Sequence, residues 1–268
     1  LAFGAVGLLG AIAIGIWAST LAVPPVSPVQ GPRAAYDRNS DEWVMAIDRA
    51  WVLIDADSAI AALQVARQAV DLFPDDPESH VVLGSALMAL ERWDDASDAL
   101  EKALRLDPEY GRGHFAMADW YYRRGMWPET EVHARRALEL DPSLVRAHGF
   151  LAIALLYQDQ DEEADEAIDQ GILEAPNDLY LAWLRAEIFN RTARPVEAVA
   201  AYRHLAELDP ANLDAWVNIG RFEHILGHYE EAVVALERAR ELDPEWFAQA
   251  DLERSILEAS REGRPYNR

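Results

Sequence analysis

The chain has 268 residues, with 47 Asp and Glu against 24 Lys and Arg, a formal charge of −23 and no cysteine. The missing thiol excludes disulfides, thiolate nucleophiles, iron–sulfur clusters and cysteine-based zinc sites. The acidity argues against nucleic acid, which is bound by basic stripes, and against electrostatic adhesion to anionic lipid.

All of this charge lies beyond residue 32. Residues 1–23, LAFGAVGLLGAIAIGIWASTLAV, are uncharged and apolar. As a helix they span roughly 34 Å, against about 30 Å for a hydrocarbon core. The run exceeds the apolar region of a cleaved signal peptide, so one transmembrane helix is expected. Gly7, Ala11, Gly15 and Ser19 recur every four residues. Such a small-residue ribbon lets another membrane helix approach closely. The first downstream charges, Arg33, Asp37 and Arg38, are too few to fix orientation. A single anchor followed by an acidic domain points to a bacterial inner (cytoplasmic) membrane, with the domain outside the cytoplasm. Residues 24–40 carry Pro24, Pro25, Pro28 and Pro32 and read as a stiff, extended linker.

Beyond the linker, prolines stand at 74, 108, 142, 176, 210 and 244, every interval being 34. Four of them end the string Leu-Asp-Pro, at Pro108, Pro142, Pro210 and Pro244. In the repeat family that this spacing resembles, each period is two helices and two turns. On that resemblance, small residues such as Gly84 and Ala96, or Gly220 and Ala232, allow the paired helices to approach, and large residues fill the gaps between them. The proline stops the second helix, and the Asp before it is expected to cap the next one.

This pattern resembles the tetratricopeptide repeat (TPR) family over residues 41–246, as about six 34-residue units. The first unit is degenerate, with Arg49 where an apolar residue is usual. Thr130, Gly171 and Arg185 are lesser departures in later units. The resemblance implies an all-α, right-handed helix–turn–helix repeat solenoid, here preceded by one transmembrane helix. One unit cannot bury its apolar face, so units stack and the last needs a cover. Residues 247–268 supply a capping helix and tail; together with Trp246, Phe247, Leu252, Ile256 and Leu257 would cover the final repeat.

The resemblance also implies that the first helix of each unit lines an inner wall. Carried over position by position, that wall presents Arg112, Phe115, Tyr122, Arg146, Phe150, Tyr157, Tyr180, Trp183 and Arg221. Aromatic residues and arginine carry most interface energy, so a protein or an extended peptide is the expected occupant. The carboxylate clamp of chaperone-binding members is missing, because Val81/Ser85 and Phe115/Asp119 stand at its positions.

Three features imitate chemical sites. His80, His114 and His148 recur one per repeat, too far apart to share a metal. His224 and His228 are separated by Gly227 at a turn, so they leave different elements. The acidic run from Asp159 to Glu166 fits a solvated turn and a helix start. No catalytic residue, metal, cofactor or small-molecule substrate is therefore expected. The function expected is a membrane-anchored protein–protein interaction scaffold, a structural or assembly subunit of a respiratory or photosynthetic complex. Its partners would be other subunits, transmembrane helices among them, with the bilayer held through residues 1–23. The alternative is a tethered adaptor that binds client peptides in secretion, pilus or cytochrome maturation.

Overall fold

The computed structural model describes residues 41–56 and 58–266. The expected membrane helix, its Gly7, Ala11, Gly15 and Ser19 ribbon, and the linker 24–40 lie outside the described residues. Among the described residues no helix is long and apolar enough to cross a membrane.

The described residues form helices and no strand. Six helix pairs follow one another: α1 (Asp41–Asp55) with α2 (Ala59–Leu72), α3 (Pro77–Ala89) with α4 (Trp93–Leu106), α5 (Gly111–Arg123) with α6 (Trp127–Leu140), α7 (Ala147–Leu156) with α8 (Asp161–Glu174), α9 (Leu179–Arg191) with α10 (Pro195–Leu208), and α11 (Leu213–Ile225) with α12 (Tyr229–Leu242). Two closing helices end the chain, α13 (Pro244–Gln249) and α14 (Asp251–Arg261). The described residues divide into two compact units, 41–167 and 168–266.

Close helix approach within a pair depends on glycine. A Cβ added to Gly84 would stand 2.6 Å from Leu100 Cδ2, and one added to Gly220 would stand 2.5 Å from Leu236 Cγ. Leu100 and Leu236 are fully buried. A methyl at either glycine would therefore force the helices apart.

In the last five pairs the turn is fixed by one residue in the left-handed region. Glu91 (φ 56°), Gly125 (69°), Asp159 (59°), Ala193 (54°) and Gly227 (81°) recur at the repeat period. In each case the following N–H reaches back five residues. Arg92 N–H donates to the Leu87 carbonyl at 2.9 Å, and the bonds Met126 to Tyr121, Gln160 to Leu155, Arg194 to Phe189 and His228 to Glu223 match it. This is the Schellman arrangement, which satisfies the last carbonyls of the first helix and reverses the chain.

Between pairs the proline ends the helix as expected, but the capping role falls on other residues. The carboxylates of Asp107, Asp141 and Asp209 accept the N–H groups of Glu109, Ser143 and Ala211, two residues on. They brace the turn in place of capping the next helix. The caps are Asp76, Asp178 and Asn212, which accept from the N–H groups of Ser79, Leu181 and Ala215. Asp243 alone among the Leu-Asp-Pro aspartates caps a helix, at 2.8 Å from Trp246 N, because α13 begins at Pro244.

The register histidines serve the same turns. His80 Nε2 lies 2.7 Å from the Pro74 carbonyl and His114 Nε2 3.0 Å from that of Pro108. Trp216, at the equivalent position, donates Nε1–H to Pro210 at 3.0 Å. They are structural donors, as the sequence suggested.

The first pair is complete despite its degenerate sequence. Arg49 is exposed, while Trp43 and Trp51 are buried in one core with Val81, Val82 and Leu100. At the other end the single expected capping helix is two. Ala250, at φ −81° and ψ 79°, leaves the helical region. The break lets Phe247 from α13 and Ile256 and Leu257 from α14 enter one core with Val217 and Leu236.

Candidate protein-binding faces

In residues 41–167 the sequence-predicted aromatics come together. Phe115 on α5 and Phe150 on α7 are buried, with ring centroids 5.2 Å apart. Tyr122 lies 5.4 Å from Phe150 and 6.2 Å from Trp127. Trp127 stacks on Tyr157 at 4.0 Å with planes 14° apart. The five rings thus form a continuous chain from the core to the half-buried Tyr157. Phe115 and Phe150 are its foundation, while Tyr122, Trp127 and Tyr157 remain half-accessible. Burial, with the nearby Asp119 carboxylate, pushes the Tyr122 hydroxyl up to about 12, so it stays a neutral donor.

Arg112, read from sequence as a cation at the wall's edge, is committed inward. Its Nη1 donates to Glu78 Oε1 at 2.9 Å. Trp51 Nε1 donates to the same oxygen at 3.2 Å, and the Tyr110 hydroxyl donates to Glu78 Oε2. The Glu78 carboxylate is almost fully buried and is satisfied on both oxygens. Arg146 sits half-buried at the start of α7.

In residues 168–266 Tyr180 is buried and Trp183 half-buried on α9, with centroids 6.2 Å apart. Behind them the Glu187 carboxylate accepts from the Tyr202 hydroxyl at 2.5 Å and faces Asn190 at 3.5 Å. Burial raises the Glu187 carboxyl above its ordinary range. Asp214 is raised too, by burial first and then by Glu187, with Arg221 opposing. Arg221 itself donates Nε–H to Glu253 Oε1 at 2.8 Å. It is therefore a partnered arginine, like Arg112.

The remaining histidines hold structure. His224 Nε2 accepts the Tyr266 N–H at 2.8 Å, which leaves the proton on Nδ1, 2.7 Å from Ser260 Oγ. His228, beyond Gly227, faces Glu223 at 2.7 Å. His114 and His133 approach at 3.1 Å between their Nδ1 atoms. Among the described residues no group of three His, Cys, Asp or Glu could hold a metal ion. Asp161, Glu162 and Glu163 are exposed in the first turn of α8, as a solvated acidic run should be.

Trp127 was not among the residues picked from sequence, because it lies on a second helix. Its signal was a tryptophan before Pro128 at a helix start. Glu78 gave no signal; it reads as an ordinary first-turn glutamate.

The left-handed turns, the prolines and the glycine–leucine contacts together define an all-α TPR solenoid. Tetratricopeptide repeat models match residues 53–119 and 213–245. Among curated proteins, human Protein O-mannosyl-transferase TMTC1 is 26% identical over 191 residues, covering 69% of this chain. The chain spans 20% of that relative's length. Among solved structures, PilW, titled a widely conserved type IV pilus biogenesis factor, aligns at TM-score 0.68 and 14% identity, over 82% of this chain and 98% of its own. Pseudomonas aeruginosa pilF aligns at 0.66 and 17%, over 81% and 97%. YrrB, titled a TPR protein with an unusual peptide-binding site, aligns at 0.54 and 19%, over 69% and 96%. At these identities the likeness is one of fold.

Proposed function

We propose that the protein is a membrane-anchored interaction scaffold whose first-helix faces hold a protein partner. The observation that carries this reading is the ring chain Phe115–Phe150–Tyr122–Trp127–Tyr157, buried at one end and accessible at the other. A stacked Trp–Tyr pair presents a large, rigid, amphipathic surface at low entropic cost, the composition of an interface hot spot. Trp183 offers a second such surface in residues 168–266. The uncharged residues 1–23 and their small-residue ribbon supply the anchor, docked among the transmembrane helices of a respiratory or photosynthetic complex in a bacterial inner membrane, with the repeats on the non-cytoplasmic side.

A second reading, a tethered adaptor for client peptides in pilus, secretion or cytochrome maturation, is favoured by the fold shared with PilW and pilF. Extraction in mild detergent separates the two. A permanent subunit migrates in a large assembly, and replacing Gly7, Ala11 and Gly15 by Leu breaks it. An adaptor tolerates those replacements, and its binding is lost in Tyr157→Ala or Trp183→Ala. A free monomer whose membrane associations ignore all of these changes contradicts both readings.

A further inference from the structure

Away from the first-helix faces, α10, α11 and α12 enclose a groove of 510 Å3. Trp216 and Ile219 of α11 lie along it, and Val234 of α12 flanks it at 68% exposure. Glu207 of α10 stands on one side and Glu230 and Glu231 of α12 on the other, all three exposed. No ion pair of the described residues engages any of these glutamates. Arg203, the cation among the lining residues, is held by Glu223 at 2.5 Å.

We propose that this groove docks an amphipathic helix of a partner protein, basic on its flanks. An apolar side chain of that helix would lie on Trp216 and Val234, over the buried Ile219, and its Lys or Arg residues would meet Glu207 on one side and Glu230 and Glu231 on the other. A groove between helices suits a helical ligand. The charge decides the class of occupant. Three carboxylates without a cationic partner, on a chain of net charge −23, attract and orient a basic segment and repel an acidic one. Position in the repeat is not enough by itself. Val132, at the register equivalent of Val234, is 65% exposed, yet Pro128 replaces Glu230 there and Arg105, paired with Glu101, replaces Glu207.

The test is fluorescence anisotropy of the full chain with a labelled helical peptide of about 14 residues, carrying Leu along one face and Lys on both flanks. A counterpart has Glu in place of each Lys. The expected result is saturable one-to-one binding of the Lys peptide, weakened by salt, with no binding of the Glu peptide. Val234→Arg weakens binding about tenfold, whereas Val132→Arg and Trp183→Ala leave it unchanged. Equal binding of the two peptides, equal loss in Val132→Arg, or full binding in Val234→Arg overturns the proposal. The Trp183→Ala arm separates it from the function proposed above, which depends on that residue.

Discussion

His204 on α10 directs its Nε2 at the Pro176 carbonyl, 3.0 Å away. In other repeats that turn carbonyl is met by a ring N–H six residues on, from His80, His114 or Trp216. In this repeat the position is Ala182, which has no donor, and the second helix supplies one instead. His204→Ala is therefore expected to cost about 1 kcal/mol, the value of an ordinary hydrogen bond. Adding Ala182→His in the same chain is expected to restore most of it. Urea midpoints of the single and double variants check this; an additive loss contradicts it.

The left-handed turn residues give a prediction of opposite sign. Glu91, Asp159 and Ala193 occupy a conformation that glycine adopts without strain, as Gly125 and Gly227 do at equivalent positions. Ala193→Gly and Glu91→Gly should each raise stability by about 0.5–1 kcal/mol, and Asp159→Gly by less, since Asp tolerates this region better. Thermal melts of the three variants supply the ranking.

Glu78 joins α1, α3 and α5 through Trp51, Tyr110 and Arg112. Glu78→Ala removes the buried carboxylate that Trp51, Tyr110 and Arg112 share, a loss of about 3 kcal/mol. Stability in repeat arrays is local, so the loss should appear as faster amide exchange in α1–α5. Amides of α11 and α12 should keep their rates.

Acid should weaken the fold through His133. Burial first, and then the charge of His114, lowers its imidazole to about 4 from an ordinary value near 6.5. The folded chain thus declines a proton that the unfolded chain binds. The stability is fully present above about pH 6.5 and is lost as pH falls toward about 4. His224, lowered by burial, acts in the same direction. In His133→Gln the loss between pH 7 and pH 5, set against the unaltered chain, should shrink; an identical slope in both denies the role.

Much of this architecture could be read from residues alone. Six prolines at one interval located the helix pairs, and Gly84 and Gly220 marked the close contacts. The turns were half-visible, since Gly125 and Gly227 announce a left-handed residue while Glu91, Asp159 and Ala193 do not. The face was harder to read. Phe115 and Tyr157 both fall at inward positions of their repeats, but one is buried against Phe150 and the other caps the ring chain through Trp127. Arg112 and Arg221 looked like edge cations, because nothing local announces Glu78 or Glu253, about one repeat away, as their partners. Such pairs depend on how neighbouring repeats stack, which spacing within one repeat does not encode.

Site-specific photo-cross-linking in native membranes tests the central claim most directly. A photoreactive residue at Tyr157 or Trp183 should capture a discrete protein partner, and one at exposed Val132 should not. Equal capture from all three positions, or capture from Val132 alone, would contradict a scaffold that binds through its first-helix faces.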